Sequence, residues 1–132
     1  MLTKSEWNYV LLTRNTLSGL RYVNAQVMGV SGKILLPDNW QSSIYPLNQY
    51  GNNIISSSVW TSVFESNGAV FLPYAGFRQG TTIIDVGESG RYWSASCYSS
   101  NQAYFTRIDY IQTNLYFHRY YGMSIRLVCP AN

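Results

Sequence analysis

Near the start of the chain, Trp7, Val10, Leu11 and Arg14 recur at spacings of three and four residues, which places them on one mostly apolar face of a helix. Thr3-Lys4-Ser5-Glu6 precedes that face and fits a capping box, the Thr3 hydroxyl accepting from the Glu6 amide while the Glu6 carboxylate reaches back to the Thr3 amide. A helix is therefore expected over residues 4–14, ending before Ser18-Gly19. The pattern then becomes strand-like over residues 20–27 and again at Ile34-Leu35-Leu36, where Pro37-Asp38 stops it. Gly29 to Gly32 reads as the turn of a hairpin between them. Residues 40–53 are polar, carry Pro46 and Gly51, and read as a long loop.

A second helix is expected from Ser56 or Ser57, with serines available as N-cap and Trp60, Val63 and Phe64 on one face. Asn67-Gly68 supplies the left-handed residue that ends it. Residues 69–73 form a strand, Gly76 to Gly80 a turn or bend, and Gly87 to Gly90 a tight turn. The remainder is rich in strand signals, and the order implies an α+β domain.

In the last third, two strand-like frames, residues 90–96 and 122–128, enclose a segment of different vocabulary. Residues 98–121 hold six tyrosines among Ser, Asn, Thr, Asp, Phe and His, with no Lys, Glu, Met, Trp or Gly. Alternation over residues 103–109 is that of a strand, with Tyr104, Thr106 and Ile108 read as facing the core and Phe105, Arg107 and Asp109 as facing out. Tyrosine presents a large, rigid, amphipathic surface with few torsions to freeze, and Ser and Asn add adaptable hydrogen bonds, the mixture antibody loops use. Trp7, Trp40, Trp60, Tyr92 and Trp93, by contrast, stand mostly in periodic or strand-like contexts and read as packing residues.

A chain of 132 residues is expected to bury one core, and its ordinary apolar content argues against disorder. The formal charge of +3 is scattered, without the basic stripe a nucleic-acid surface needs, so no nucleic-acid partner is expected. No apolar stretch approaches the ~20 residues of a membrane helix. No signal peptide is evident; the Met1-Leu2-Thr3 start reads as cytoplasmic, or as a boundary inside a longer secreted or virion protein. Cys97 and Cys129 lack metal-ligand spacing. A bridge between the two frames and a pair of buried or half-buried thiols both fit, the second being favoured.

Five phrases in order carry a resemblance that spans nearly the whole chain: Trp7-Asn8-Tyr9, Ile34-Leu35-Leu36-Pro37-Asp38-Asn39-Trp40, Gly68-Ala69-Val70-Phe71-Leu72-Pro73-Tyr74-Ala75-Gly76-Phe77-Arg78, Tyr92-Trp93-Ser94-Ala95-Ser96, and the run from Arg119 through Gly122-Met123-Ser124-Ile125-Arg126 to Val128. The chain resembles the Fibrobacter succinogenes major paralogous-type domain of surface and phage-associated proteins of Bacteroides-like bacteria. That resemblance implies a C-type lectin-like fold of the formylglycine-generating-enzyme type, two helices flanking small antiparallel sheets, with a ligand face near the C-terminus. It further implies the C-terminal ligand-binding domain of a longer protein, displayed on a bacterial cell surface or phage virion.

Members of this kind also serve as variable proteins of diversity-generating retroelements, in which template adenines are randomised during copying. An AAC codon altered at its adenines yields Tyr, Ser, Thr, Asp, His or Phe but never Lys, Glu, Met, Trp or Gln. Only Gln102 and Gln112 in residues 98–121 need another origin. By this resemblance the variable, ligand-binding positions are Tyr98, Ser99, Ser100, Asn101, Phe105, Arg107, Asp109, Tyr110, Tyr116, Phe117, His118 and Tyr121. The partner implied is a protein or other cell-surface ligand.

Catalysis and cofactors are not expected. His118 is the one histidine and sits in the variable-looking segment, the six carboxylates recur at no useful spacing, and the cysteine or metal arrangement of the related oxidising enzyme has no match. No metal site is expected either, because the clustered oxygen ligands of calcium lectins are missing. The alternative function is a structural or adhesive domain of a surface lipoprotein or pilus-like assembly, without diversification.

Overall fold

The computed structural model describes residues 1–130 and is a small α+β domain with two helices and several small sheets. The first helix starts at the expected cap. Thr3 accepts from the Glu6 amide at 3.2 Å, and the Thr3 amide donates to the Glu6 carboxylate at 2.7 Å. These bonds hold the Glu6 carboxyl below its ordinary value. Regular α-helix, α1 (Lys4–Asn8), continues into a wider π-helical turn, Tyr9–Thr13. Arg14, just beyond it, is buried on the helix's apolar face because its guanidinium is satisfied there: it donates to Asp38 at 2.6 Å and to the carbonyls of Val10 and Arg21 at 2.7 Å each.

The next strands form one sheet in the order β3-β1-β2-β4, comprising β1 (Tyr22–Val27), β2 (Val30–Leu35), β3 (Asn53–Ile55) and β4 (Val70–Pro73). The hairpin turn is tighter than the sequence suggested. Val27 pairs with Val30, so Met28 and Gly29 alone connect β1 to β2, both at positive φ as a type I′ turn requires. The short β3, inside a stretch expected to be partly loop, runs parallel to β1, anchored by the Asn53 amide donating to the Asn24 and Asn48 carbonyls. The second helix, α2 (Ser57–Val59), is capped by Ser56, widens over Trp60–Phe64 and tightens over Glu65–Asn67, and Gly68 at φ 85° ends it as expected.

Alternation along these strands feeds two cores. One face of the sheet sends Val23, Ala25, Val27 and Ile34 against Trp40, Trp60 and Phe64 of the second helix and its approach. The other sends Leu35, Val70 and Leu72 against Trp7 and Leu11 of the first helix, which carries Tyr92 and Ile108 on its far side. The first helix therefore joins the four-stranded sheet to a three-stranded one, β7 (Arg91–Cys97), β8 (Gln102–Arg107) and β9 (Gln112–His118), in the order β7-β8-β9. Between them, residues expected to form only a bend make a second hairpin, β5 (Phe77–Gln79) with β6 (Thr82–Ile84).

The right-hand frame differs from expectation. Residues 122–128 do not form a strand: Gly122 bridges Arg78 and Ser124 bridges Tyr92, after which the chain to residue 130 has no regular structure. Its continuation beside β7 is blocked because the Leu2 carbonyl already accepts from the Ala95 amide. Ile125, Leu127 and Val128 are consequently exposed.

Candidate functional site

The three-stranded sheet carries every residue expected to bind. Its two ends are separated by β8, six residues that at roughly 3.4 Å each span about 20 Å. Tyr98, Ser99, Ser100 and Asn101 form the β7–β8 connection at one end. The Arg119 amide donates to the Asn101 carbonyl at 3.0 Å and brings His118, Tyr120 and Tyr121 to that same end. Arg107, Asp109 and Tyr110 lie at the opposite end. The twelve expected residues thus do not form one site.

At the first end, aromatic side chains stack in the open. The Tyr98 and Tyr116 rings lie 3.7 Å apart and parallel within 2°, with Tyr104 edge-on to both. Tyr98 and Tyr116 remain 46% and 45% exposed, so about half of each residue stays open to solvent. The Tyr116 hydroxyl beside it keeps the Tyr98 phenol above its ordinary value. Lys4, from the first helix, sets its ammonium 4.3 Å from the Tyr104 ring centre. A second stack forms at the same end: Tyr120, 70% exposed, lies parallel within 9° to His118 and 4.8 Å from Tyr121, which rests on Phe117, the residue that packs on Phe105. Ser99 donates to the Asn101 side chain at 3.0 Å, and Arg119 reaches Cys97.

Phe105 departs from its expected place. It is only 5% exposed, although the strand alternates as anticipated and Phe105 faces away from the first helix. The outward face of this sheet is itself roofed. Trp93 packs edge-on against Phe105, Phe117 does the same from β9, and the Arg91 guanidinium lies 6.0 Å from the ring while covering Phe77 at 3.7 Å. Trp93, expected to be core, is half-buried and forms part of this roof. Tyr104, read as inward, is likewise half-buried and belongs to the exposed stack.

At the other end Arg107 and Asp109 are engaged with the protein itself. Arg107 pairs with Asp109 and donates to the Tyr110 hydroxyl at 2.6 Å, and Asp109 accepts from the Gly90 amide at 3.1 Å. Burial pushes the Asp109 carboxyl up, but Arg107 and the Gly90 amide outweigh it and hold it below its ordinary value. Directly across the strands, Arg91 and Arg107 are paired; Arg91 donates to the Ser89 hydroxyl at 3.3 Å and lies 4.0 Å from Asp85, while Asp109 pairs with Arg107. The arrangement ties the β8–β9 turn to the start of β7, leaving only the Tyr110 ring half exposed.

Both cysteines are free and exposed, not the buried pair that was favoured. Among the described residues no three His, Cys, Asp or Glu side chains gather as a metal would require, and no helix is long and apolar enough to cross a membrane. Sequence reasoning missed Lys4, Phe77 and Arg91, because their neighbours in the site are far away along the chain. It also passed over Tyr120, the most exposed aromatic of this end, although its tyrosine-rich context signalled it. Comparison with family models, curated proteins and solved structures returned no match to this chain.

Proposed function

We propose that this domain is a non-enzymatic recognition module that binds a protein or other cell-surface ligand through the tyrosine-rich end of its three-stranded sheet. One observation carries the reading: Tyr98, Tyr116 and Tyr120, three large aromatic side chains, stand 45–70% exposed in stacks at one end of the sheet. Exposed aromatic rings cost free energy in water, and tyrosines are enriched among residues that dominate binding. Stacking fixes the rings before a partner arrives, which lowers the entropy lost on association. The resemblance to the Fibrobacter-type domain and to retroelement variable proteins supports the same reading and extends it. On that basis the fold is a C-type lectin-like one, the chain acts on a bacterial surface or phage virion, and the tyrosine end is the diversified part.

The binding surface on this reading is Tyr98, Ser99, Ser100, Asn101, Tyr116, Phe117, His118 and Tyr121, joined by Tyr120 and Lys4. Phe105 is buried under the roof of the sheet's other face, and Arg107, Asp109 and Tyr110 lie at the opposite end, outside this surface. Replacing Tyr98, Tyr116 and Tyr120 together by Ser should lower the melting temperature by no more than about 6 °C, since exposed positions change stability by roughly 0.5 kcal/mol or less each. The same variant should lose capture of the bacterial or host surface that the unaltered domain binds, measured with labelled protein. Retained capture would move the site elsewhere. A reverse-transcriptase gene beside the coding sequence, with a near-copy of its 3′ end differing only at adenines, is expected on the retroelement reading.

One observation favours a second reading, a structural or adhesive domain of a surface assembly. Ile125, Leu127 and Val128 are exposed in a run without regular structure, as apolar residues that await a neighbouring subunit would be. The absence of a template repeat and reverse transcriptase near the gene would favour it over the first.

A further inference from the structure

Ile125, Leu127 and Val128 leave the domain from a fixed point. Ser124 is held on β7, its amide donating to the Arg91 carbonyl at 3.0 Å and its carbonyl accepting from the Trp93 amide at 2.9 Å. Beyond it the run is open to water, and Leu127 is 80% exposed. The run leads to Cys129, which is exposed and free, as is Cys97 at the end of β7.

A groove of about 230 Å³ lies beside β7 between these two places. Its lining includes Ile125, where the tail departs, Trp93 and Ala95 along the strand, and Cys97 with Arg119 at the strand's end. The Arg119 guanidinium donates to the Cys97 sulfur at 3.0 Å and fixes where that sulfur stands. A largely apolar groove thus begins at the first residue of an exposed apolar run and ends at a thiol.

Chain length fits the span. The bridge between Tyr92 and Ser124 is parallel, and each cysteine lies five positions beyond it, 97 − 92 on β7 and 129 − 124 on the tail. The five positions on β7 do not run straight. Trp93 pairs with Phe105 and Cys97 with Ala103, so four steps of β7 cover only two of β8. This bulge brings Cys97 to about three strand residues, roughly 10 Å, from the bridge, whereas a five-residue tail extends to roughly 17 Å. The slack lets the tail lie over the groove and bring the two Cα atoms within the roughly 5–6 Å a disulfide needs. Leu2 keeps the Ala95 amide, because the tail crosses the groove and needs no place on the strand edge.

We propose that residues 125–129 form a redox-sensitive strap, which closes over this groove with Leu127 inside it when a small-molecule disulfide such as oxidised glutathione joins Cys129 to Cys97. The Cys97 thiolate attacks one sulfur of the oxidant, whose S–S bond breaks and releases one thiol. The Cys129 thiolate then attacks the Cys97 sulfur of the mixed disulfide and releases the second. Two electrons and two protons pass from the cysteine pair to the oxidant, which ends as two thiols. The apolar run is then covered by its own chain, so it is open to a neighbouring subunit only in the reduced state. The strap stands whether or not the tyrosine end binds a ligand.

The test equilibrates the unaltered chain in mixtures of reduced and oxidised glutathione at two protein concentrations. Intact mass should show the loss of two hydrogens with no glutathione attached, equally at both concentrations, and non-reducing peptide maps should link Cys97 to Cys129. In the linked form trypsin should cut after Arg126 about tenfold or more slowly, and the melting temperature should rise by roughly 5 °C or more. Leu127→Asp should keep the melting temperature of the reduced domain, since the position is exposed, but should shift the glutathione equilibrium about tenfold toward the free thiols, because a carboxylate resists entry to the groove. Lasting glutathione adducts, dimers linked through Cys129, a link that leaves cleavage after Arg126 unchanged, or a Leu127→Asp equilibrium equal to that of the unaltered chain would each overturn the proposal.

Discussion

Phe105 and Tyr120 are both aromatic residues of the tyrosine-rich segment, and their surroundings give them opposite roles. Phe105 is enclosed by Trp93, Phe117 and Arg91, so Phe105→Ala removes a buried ring and should cost about 3–5 kcal/mol, read from chemical denaturation. Tyr120→Ser should fall within about 0.5 kcal/mol of the unaltered protein, because its ring is mostly in water and only stacks on His118 and Tyr121. Equal effects of the two changes would show that the roof over Phe105 contributes nothing. Lys33 makes a related point. It is 4% exposed and has no carboxylate partner among the described residues; Asn24 at 2.6 Å and the Tyr22 ring at 5.2 Å hold it instead, and burial pushes its pKa below the ordinary value. A lysine in a strand reads as a solvent-facing residue until its neighbours are known.

Among the elements, the β1–β2 hairpin shows how turn chemistry limits a reading. The type I′ turn needs two residues at positive φ, and Met28 occupies one of them at 50°, a strained place for an unbranched side chain. Met28→Asn should stabilise the domain by roughly 0.5–1 kcal/mol, a rise in denaturation midpoint at unchanged slope, because asparagine tolerates that conformation. Gly76 is the contrary case. Its φ is 69°, and a Cβ there would collide with the Ile84 carbonyl, so Gly76→Ala should disrupt the path between β4 and the β5–β6 hairpin. The second hairpin was invisible in sequence for a simple reason. Three-residue strands such as Thr82–Ile84 are too short to display alternation, and only pairing with Phe77–Gln79 defines them.

For the whole molecule, the Arg107–Asp109 pair and the bond from the Gly90 amide to Asp109 join the turn of the three-stranded sheet to the start of its first strand, and their charge state should register in global stability. Asp109 has its folded-state pKa lowered, so its contribution is present above the unfolded value near 4 and is lost as pH falls through the lower folded value. Asp109→Asn should therefore be less stable than the unaltered domain at neutral pH, with the gap closing in denaturation experiments below about pH 4. A gap independent of pH would assign the loss to the hydrogen bonds of Gly90 and Ser89 alone. The amino-acid sequence by itself determined both helices, their caps at Thr3, Ser56 and Gly68, the first hairpin, the burial of Trp7, Trp40 and Trp60, and the alternation of β8. Those features follow from local spacing and local hydrogen bonds, which residues close in the chain settle between themselves. It also marked the tyrosine-rich segment as unlike the rest. Only the tertiary structure decided which of those residues reach solvent, because exposure depends on what other elements place above them. Trp93, Phe117 and Arg91 cover Phe105, Leu2 takes the edge of β7 that Ile125 to Val128 would have used, and the length of β8 separates Tyr110 from Tyr98 and Tyr116.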